Sequence, residues 1–238
     1  MYQSSTITTL QEEQSVSIPS DTQYRTVIHE HGRYRVIDGA QFIYNGYSYP
    51  VNATEKSGIR LDILTPIVEQ LTAMQSYYSR VYFARFDLHL PKGTSIKTGN
   101  QWMSDLFKKL RERLKSKYKR PKGLDQPVKQ FAYGWVREKE KAKQVHYHCW
   151  IALPQRQVQW LGMPNSGIGG AIVDIWCGLT NGEHTLVNLM NDGYVIYRGR
   201  PETMNEVIWR VSYLAKERGK YQTGKGDRIH STSNIIPK

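Results

Sequence analysis

The sequence predicts an α+β fold in which a central antiparallel sheet has helices packed on its faces. Strand-like and helix-like segments alternate along the chain, and two of the strand-like segments are joined only by a short polar stretch. Such a short connection permits a hairpin but not a parallel crossover. The predicted strands lie near 80–90, 130–138, 144–153 and 193–198, and the predicted helices lie near 64–78, 100–118, 168–179 and 202–217.

Composition limits both the architecture and the class of partner. A chain of 238 residues with 39% hydrophobic residues can bury one sizeable core. The formal charge of +12 indicates an anionic partner, and the sequence lacks a long apolar run or a signal-like leader, so nucleic acid is favoured over membrane. The two cysteines, Cys149 and Cys177, do not form a disulfide framework, and a cytoplasmic location is therefore expected.

The predicted organisation is one main domain, residues 56–220, with less regular flanks. Residues 1–22 are rich in Ser, Thr and Gln and predict a mobile tail. Residues 23–55 are predicted to be an N-terminal extension, in which strand-like pieces at 33–37 and 41–44 form a small hairpin that either packs against the core or contacts DNA. Residues 221–238 are predicted to be a basic C-terminal tail.

The helix and strand that open the main domain follow from hydrophobic periodicity. The apolar residues between Leu64 and Met74 recur with a helical period, and Pro66 is expected in the first turn of that helix. In the strand 80–90, alternate side chains share a face, which places Asp87 and His89 together. These two residues are further candidates for holding a metal or DNA; the alternative is an Arg85–Asp87 ion pair beside a hydrogen-bonded histidine.

The helix predicted at 100–118, with Asn100 as its N-cap, becomes strongly basic in its second half. Its end predicts a surface that follows the phosphates of a nucleic acid, and the alternative is an ordinary solvated face. The residues assigned to that surface are Lys115, Lys117, Lys119 and Arg120. Further on, the glycine-rich segment 163–170 is interpreted as the start of a helix rather than a phosphate-binding loop, because it lacks the Gly-Lys-Ser/Thr of a P-loop.

The strand at 144–153 contains the motif around which the chain is organised. His146 and His148 are two residues apart and therefore point to the same face, with Tyr147 on the other. Glu138 ends the preceding strand-like segment, and a hairpin would bring it beside the histidines, with Glu140 in the connecting loop as the competing candidate. Two imidazoles and one carboxylate with open positions suit Mg²⁺ or Mn²⁺ better than a closed zinc site.

A tyrosine near the end of the last predicted helix is the candidate nucleophile. Tyr213 lies off the apolar stripe of that helix, with Arg210 three residues before it and Lys216 three residues after it. Arg210 is also a candidate DNA-binding residue. Nearby cations favour the phenolate form of a tyrosine, which is the reactive form.

Three segments taken in order resemble the motifs of the HUH (His-hydrophobe-His) endonucleases. They are Phe86 to Leu90, then His146-Tyr147-His148, then Tyr213 to Lys216. Tyr147 at the hydrophobe position is a mild departure from that pattern. The sequence around the motifs is most similar to that of the rolling-circle replication initiators of filamentous phages and related prophage proteins.

The resemblance implies an RRM-like sheet and a metal-dependent endonuclease that acts on single-stranded or melted origin DNA in a bacterial host cell. His146, His148 and Glu138 would hold the metal, and Tyr213 would form a 5′-phosphotyrosine with help from Lys216. A host helicase and polymerase are implied as partners. The alternatives are a transposase or relaxase of the same superfamily, or a basic nucleic-acid-binding module without catalysis.

Overall fold

A computed structural model describes residues 24–29, 32–116, 120–121, 124–139, 144–220 and 227–238. The predicted tail at 1–22 lies outside these residues. The strands are β1 Tyr24–His29, β2 Gly32–Ile37, β3 Gln41–Tyr44, β4 Tyr47–Pro50, β5 Ile59–Arg60, β6 Arg80–His89, β7 Ala132–Glu138, β8 His146–Pro154, β9 Val187–Tyr197 and β10 His230–Thr232. The helices are α1 Leu61–Tyr77, α2 Ile96–Lys115, α3 Gly167–Thr180 and α4 Asn205–Ser212.

The main sheet has five strands in the order β10-β7-β8-β6-β9, and all neighbouring pairs are antiparallel. This arrangement confirms the predicted α+β class and antiparallel sheet. Helices α1 and α4 pack on one face of the sheet, and α2 and α3 pack on the other. No helix in the described segments is both long and apolar enough to cross a lipid bilayer.

The alternation of side chains in β6 is as predicted. Val81 and Phe83 are buried in the core on the α1 and α4 side, while Phe86 and Leu88 are buried on the α2 and α3 side. Asp87 is an even number of residues from Val81 and Phe83, so its side chain lies with theirs on the α1 and α4 side of the sheet. This face also carries the histidines of β8, because Asp87 is directly opposite His148.

Two helices begin earlier than the sequence predicts. Helix α1 follows directly from β5, and Pro66 is its sixth residue rather than part of its first turn. Helix α2 begins after Ser95, whose Oγ accepts a hydrogen bond from the amide of Thr98 at 3.0 Å. The predicted N-cap, Asn100, lies inside the helix, where its Oδ1 accepts a hydrogen bond from the Tyr147 hydroxyl at 2.9 Å.

The tyrosine-bearing helix ends earlier than predicted. Helix α4 stops at Ser212, and Tyr213–Ala215 form a single 3-10 turn. Lys216 then pairs with Ile59 as an isolated β-bridge, and the Glu217 amide donates to the carbonyl of Gly58 at 3.0 Å. The chain leaves the helix because its backbone is hydrogen-bonded there to the segment that precedes α1. This contact joins distant parts of the sequence, so the local residue pattern does not predict it.

The N-terminal extension and the C-terminal segment both pack against the sheet domain. Strands β3 and β4 form a hairpin, and Phe42 and Tyr49 from it are buried in the core. The predicted hairpin of 33–37 with 41–44 is wrong, because β2 pairs instead with β1 and β5. The burial of Phe42 and Tyr49 agrees with the packing alternative for the extension. The prediction that 221–238 is a basic tail is wrong for its described part, because β10 pairs with β7 and the side chains of Ile229 and Ile235 are buried.

Candidate active site

The hairpin formed by β7 and β8 brings a carboxylate and two imidazoles together. In its register, Glu138 is directly opposite His146, so their side chains lie on the same face of the sheet. His148 is two residues further along that face. Glu138 and His148 are buried and His146 is half-buried. The competing ligand candidate, Glu140, lies outside the described residues.

The donor atoms of these three side chains converge closely enough to hold a metal ion. The Nε2 atoms of His146 and His148 are 3.2 Å apart, and Nε2 of His148 is 3.4 Å from Oε2 of Glu138. All three donors lie within 4.8 Å of one another. Octahedral ligands held at about 2.1 Å from Mg²⁺ lie about 3 Å apart, so this donor set fits a divalent cation.

Asp87 orients one of the two histidines. Its Oδ1 accepts a hydrogen bond from Nδ1 of His148 at 2.8 Å, which leaves Nε2 as the atom that faces Glu138 and His146. Burial lowers the pKa of His148, but hydrogen bonds to Asp87 and Glu138 outweigh burial and raise the pKa above its ordinary value. The pKa of His146 is lowered by burial and by the neighbouring His148. The alternative interpretation, an Arg85–Asp87 ion pair, is not formed, since Asp87 is bound to the imidazole instead.

His89, the other further candidate on β6, is placed at the edge of this group. Its ring stacks on that of His146 with the centroids 5.7 Å apart, and its side chain is exposed. It is not part of the converging donor set. We therefore regard His89 as a neighbour of the site rather than a ligand.

Lys220 is a member of the site that the sequence analysis does not identify. Its Nζ donates a hydrogen bond to Oε2 of Glu138 at 2.6 Å, and its side chain is fully buried. Burial raises the pKa of the Glu138 carboxyl, but His148 and Lys220 outweigh burial and lower the pKa to about 2. Burial lowers the pKa of Lys220, and Glu138 opposes that shift. The short contact between the two groups favours an ionised pair.

The candidate nucleophile lies beside the histidines. The ring of Tyr213 is half-buried, and its centroid is 6.0 Å from that of His148, at nearly a right angle. Ser212, the last residue of α4, holds this turn because its Oγ accepts a hydrogen bond from the amide of Asn52 at 2.8 Å. The structure therefore brings the tyrosine and the metal-binding triad of the sequence prediction to one place.

The cations next to Tyr213 are only partly those expected. Nζ of Lys216 lies 5.3 Å from the ring centroid, and Cζ of Arg85, which the sequence analysis does not assign to the site, lies 5.9 Å from it. Arg210 instead lies over the rings of Tyr194 and Trp209. It also has Glu206 and Asp192 within 4.0 Å. Because Arg210 contacts these rings and carboxylates, we interpret it as a surface residue rather than a cation that acts on the Tyr213 phenol.

The basic helix α2 packs on the opposite face of the sheet from the triad. Of its four assigned residues, Lys115 is exposed and free to meet a phosphate, while Lys117 and Lys119 lie outside the described residues. The guanidinium of Arg120 donates to the carbonyls of Ser116 and Asp125, at 2.8 and 2.6 Å. Arg120 therefore stabilises the end of the helix.

The glycine-rich segment before α3 is explained by close packing. Gly167 has a positive φ of 62°, and a Cβ on Gly170 would lie 2.9 Å from the backbone of Asn165. These contacts require glycine without any ligand. The interpretation as a plain helix start agrees with this geometry.

Comparison with known proteins identifies the family of the chain. Searches of curated proteins and of solved structures gave no significant match. The model of the YagK/YfjJ C-terminal domain matches residues 46–230, which include Glu138, both histidines and Tyr213. The chain therefore belongs to the YagK/YfjJ C-terminal domain family, a family of prophage-associated proteins.

Proposed function

We propose that the protein is a metal-dependent, single-tyrosine DNA endonuclease of the HUH type that nicks single-stranded or melted origin DNA to start rolling-circle replication. The observation that carries the proposal is the position of Tyr213 beside His148, within the same site as the triad that suits a divalent metal. Membership of a family of prophage-associated proteins is compatible with a replication initiator.

Glu138, His146 and His148 would hold Mg²⁺ or Mn²⁺, which when bound would polarise the phosphorus–oxygen bonds of a scissile phosphodiester. Asp87 keeps the Nδ1 proton of His148, so that Nε2 is directed to the site. Lys216 supplies positive charge at the phenol, which favours its ionised form. Each of these roles uses a contact described above.

The reaction is a transfer of the phosphoryl group from one oxygen to another. The Tyr213 oxygen, after losing its proton to solvent, forms a bond to phosphorus, and the bond from phosphorus to the 3′-oxygen breaks. The 3′-oxygen takes up a proton and becomes a 3′-OH that a polymerase can extend. Because the phosphodiester energy is retained in the tyrosine link, religation by the reverse step needs no ATP.

The sequence around the candidate nucleophile favours a replication initiator over the transposases and relaxases of the same superfamily. The Tyr-x-x-Lys pattern of Tyr213 and Lys216 fits replication initiators better than transposases. Within the described residues no third histidine joins the converging donors, which argues against the relaxase pattern. The other tyrosine nearby in sequence, Tyr221, lies outside the described residues. A second candidate function is a DNA-binding module without catalysis, favoured by the charge of +12.

The experiment uses single-stranded oligonucleotides labelled separately at each end and incubated with the protein and Mn²⁺. A covalent product that survives boiling in detergent is expected only on the fragment downstream of the nick, with Tyr213 as the modified residue in peptide mapping. EDTA should abolish it. Absence of any adduct on a library of single-stranded sequences would favour the binding module, and an adduct on Tyr221 would move the nucleophile.

A further inference from the structure

Arg85 is a half-buried cation beside the candidate nucleophile. It lies on β6, on the same face as Asp87, and its guanidinium carbon is 5.9 Å from the ring centroid of Tyr213. Its Nε atom is shielded from solvent and donates no hydrogen bond within the described part of the chain. Its one hydrogen bond to protein in the described residues is long, from Nη1 to the carbonyl of Arg210 at 3.5 Å.

The acids near Arg85 do not neutralise it. Asp87 accepts its hydrogen bond from His148, and Asp192 lies near Arg210. In the described residues no carboxylate forms an ion pair with Arg85. Burial accordingly lowers the pKa of its guanidinium from the ordinary value, with Asp87 opposing the shift.

A second cation, which is buried, lies on the same tyrosine. Lys216 is 7% exposed, and its Nζ is 5.3 Å from the centroid of Tyr213. It too forms no ion pair with a carboxylate of the described chain. Two cations beside one phenol, neither paired with a carboxylate of the described residues, are costly for folding, because partial burial removes hydration that no ion pair replaces. Binding of an anion from solution would offset that cost.

We propose that Arg85 is a phosphodiester-binding residue that holds the non-bridging oxygens of the phosphate attacked by Tyr213. A guanidinium presents its donors in a planar fork that matches two phosphate oxygens, and its charge is permanent. Its Nε–H is a donor that no group of the described residues accepts from. The identity of the anion as a DNA phosphodiester rests on the proposed function, whereas the presence of an anion site rests on Arg85 and Lys216 alone.

The experiment titrates the protein, in EDTA, with thymidylyl-3′,5′-thymidine, a dinucleotide that contains a single phosphodiester. Nitrogen-15 NMR of the arginine Nε–H groups follows the Arg85 signal directly, and its shift should saturate. Arg85→Met should weaken dinucleotide binding about tenfold or more, the loss expected for a charged hydrogen bond. Arg85→Lys should retain part of the affinity because it keeps the charge but loses the fork.

The matched control is Arg80→Met, in the same strand but exposed and stacked on Tyr197, which should change the affinity by less than about twofold. Melting temperature is the second measurement. Arg85→Met should melt at or above the temperature of the unmodified protein, because it removes a half-buried charge that has no carboxylate partner in the described residues. A purely structural arginine would lower the melting temperature when replaced.

The inference is overturned if Arg85→Met binds the dinucleotide unchanged, if Arg80→Met weakens binding equally, or if Arg85→Met lowers the melting temperature. These results are separate from the test of nicking. Nicking with unchanged dinucleotide binding in Arg85→Met would reject the role of Arg85 alone. Dinucleotide binding at Arg85 without any covalent adduct would reject the nicking activity and leave the anion site.

Discussion

The Nζ atom of Lys220 lies 2.6 Å from Oε2 of Glu138, and this is the same oxygen that lies 3.4 Å from Nε2 of His148. The Lys220 ammonium therefore binds the same carboxylate oxygen of Glu138 that faces the two candidate histidine ligands. Since two cations beside one oxygen repel each other, Lys220 and a divalent metal compete for Glu138. The competition gives the first prediction.

Replacing the ammonium with an apolar chain should make the fold depend on metal. In EDTA, Lys220→Met leaves Glu138 buried without its cation, and the free energy of unfolding should fall by about 3–5 kcal/mol. Saturating Mn²⁺ should recover much of this loss, because an ion that binds only the folded state stabilises it. Urea unfolding with and without Mn²⁺ measures both values.

The matched control for this prediction is Lys216→Met, which removes a buried cation that is not bound to a carboxylate. Its effect on unfolding should be the same in EDTA and in Mn²⁺. If Lys220→Met loses equal stability under both conditions, the ammonium does not compete with a metal.

The metal-free protein should lose stability in acid through Glu138. The pKa of this carboxyl is about 2 in the folded protein, below its ordinary value of 4.5. A group whose pKa is depressed by folding contributes stability above its unfolded pKa and loses it as the pH falls towards the folded pKa. Between pH 4.5 and 2, wild-type protein in EDTA should lose on the order of 3 kcal/mol more than Glu138→Gln, measured by urea unfolding at each pH. Parallel curves for the two proteins would contradict the depressed pKa.

Asp87 should set the metal affinity without binding the metal. Asp87→Asn removes the carboxylate that accepts from Nδ1 of His148 and should weaken Mn²⁺ binding by about 10–100-fold, the range for groups that orient metal ligands. Isothermal titration calorimetry measures the affinity. His89→Gln changes the other β6 candidate, which only stacks on His146, and should have a much smaller effect. A larger loss in His89→Gln would exchange the roles of the two residues.

Local patterns are sufficient to predict the sheet and the triad. The period-two alternation of β6 and β8 places Asp87 and His148 on one face, and the antiparallel hairpin places Glu138 beside His146. These relationships need only the strand geometry and a short connection. For that reason they can be derived from a sequence without any knowledge of tertiary contacts.

The remaining parts of the site depend on contacts between distant segments. Lys220 reaches Glu138 across 82 positions of the chain, and the early end of α4 depends on pairing of Lys216 with Ile59. Arg85 is visible in the sequence only as an arginine on a predicted strand, and an expected partner, Asp87, is taken by His148. Charge and periodicity describe neighbours along the chain, and they do not show which acid a buried cation will meet.

The basic end of α2 should divide into a binding residue and a structural residue. Lys115→Gln should weaken binding to unrelated single-stranded sequences and reduce the salt dependence by about one phosphate contact. The reason is that an exposed ammonium that neutralises a phosphate releases counterions from the nucleic acid. Arg120→Gln should instead lower the melting temperature, since it removes two hydrogen bonds to backbone carbonyls. Fluorescence anisotropy at several salt concentrations and thermal melting distinguish them. An unchanged salt slope in Lys115→Gln would assign the helix to an ordinary solvated face.

The last prediction separates the chemistry of Tyr213 from its packing. Its ring packs against the core beside α4, but its hydroxyl makes no hydrogen bond within the described residues. Tyr213→Phe removes only that oxygen, so the free energy of unfolding should change by no more than about 0.5 kcal/mol. DNA binding in EDTA should also stay close to that of the wild type. Cleavage and the covalent adduct should both disappear, because the phenylalanine ring has no oxygen that could attack the phosphorus. Tyr197→Phe, a half-buried tyrosine at the far end of β9, is the matched control and should cleave normally. Denaturing gels of end-labelled oligonucleotides measure cleavage, and a Tyr213→Phe protein that still cuts DNA would show that the nucleophile is another group.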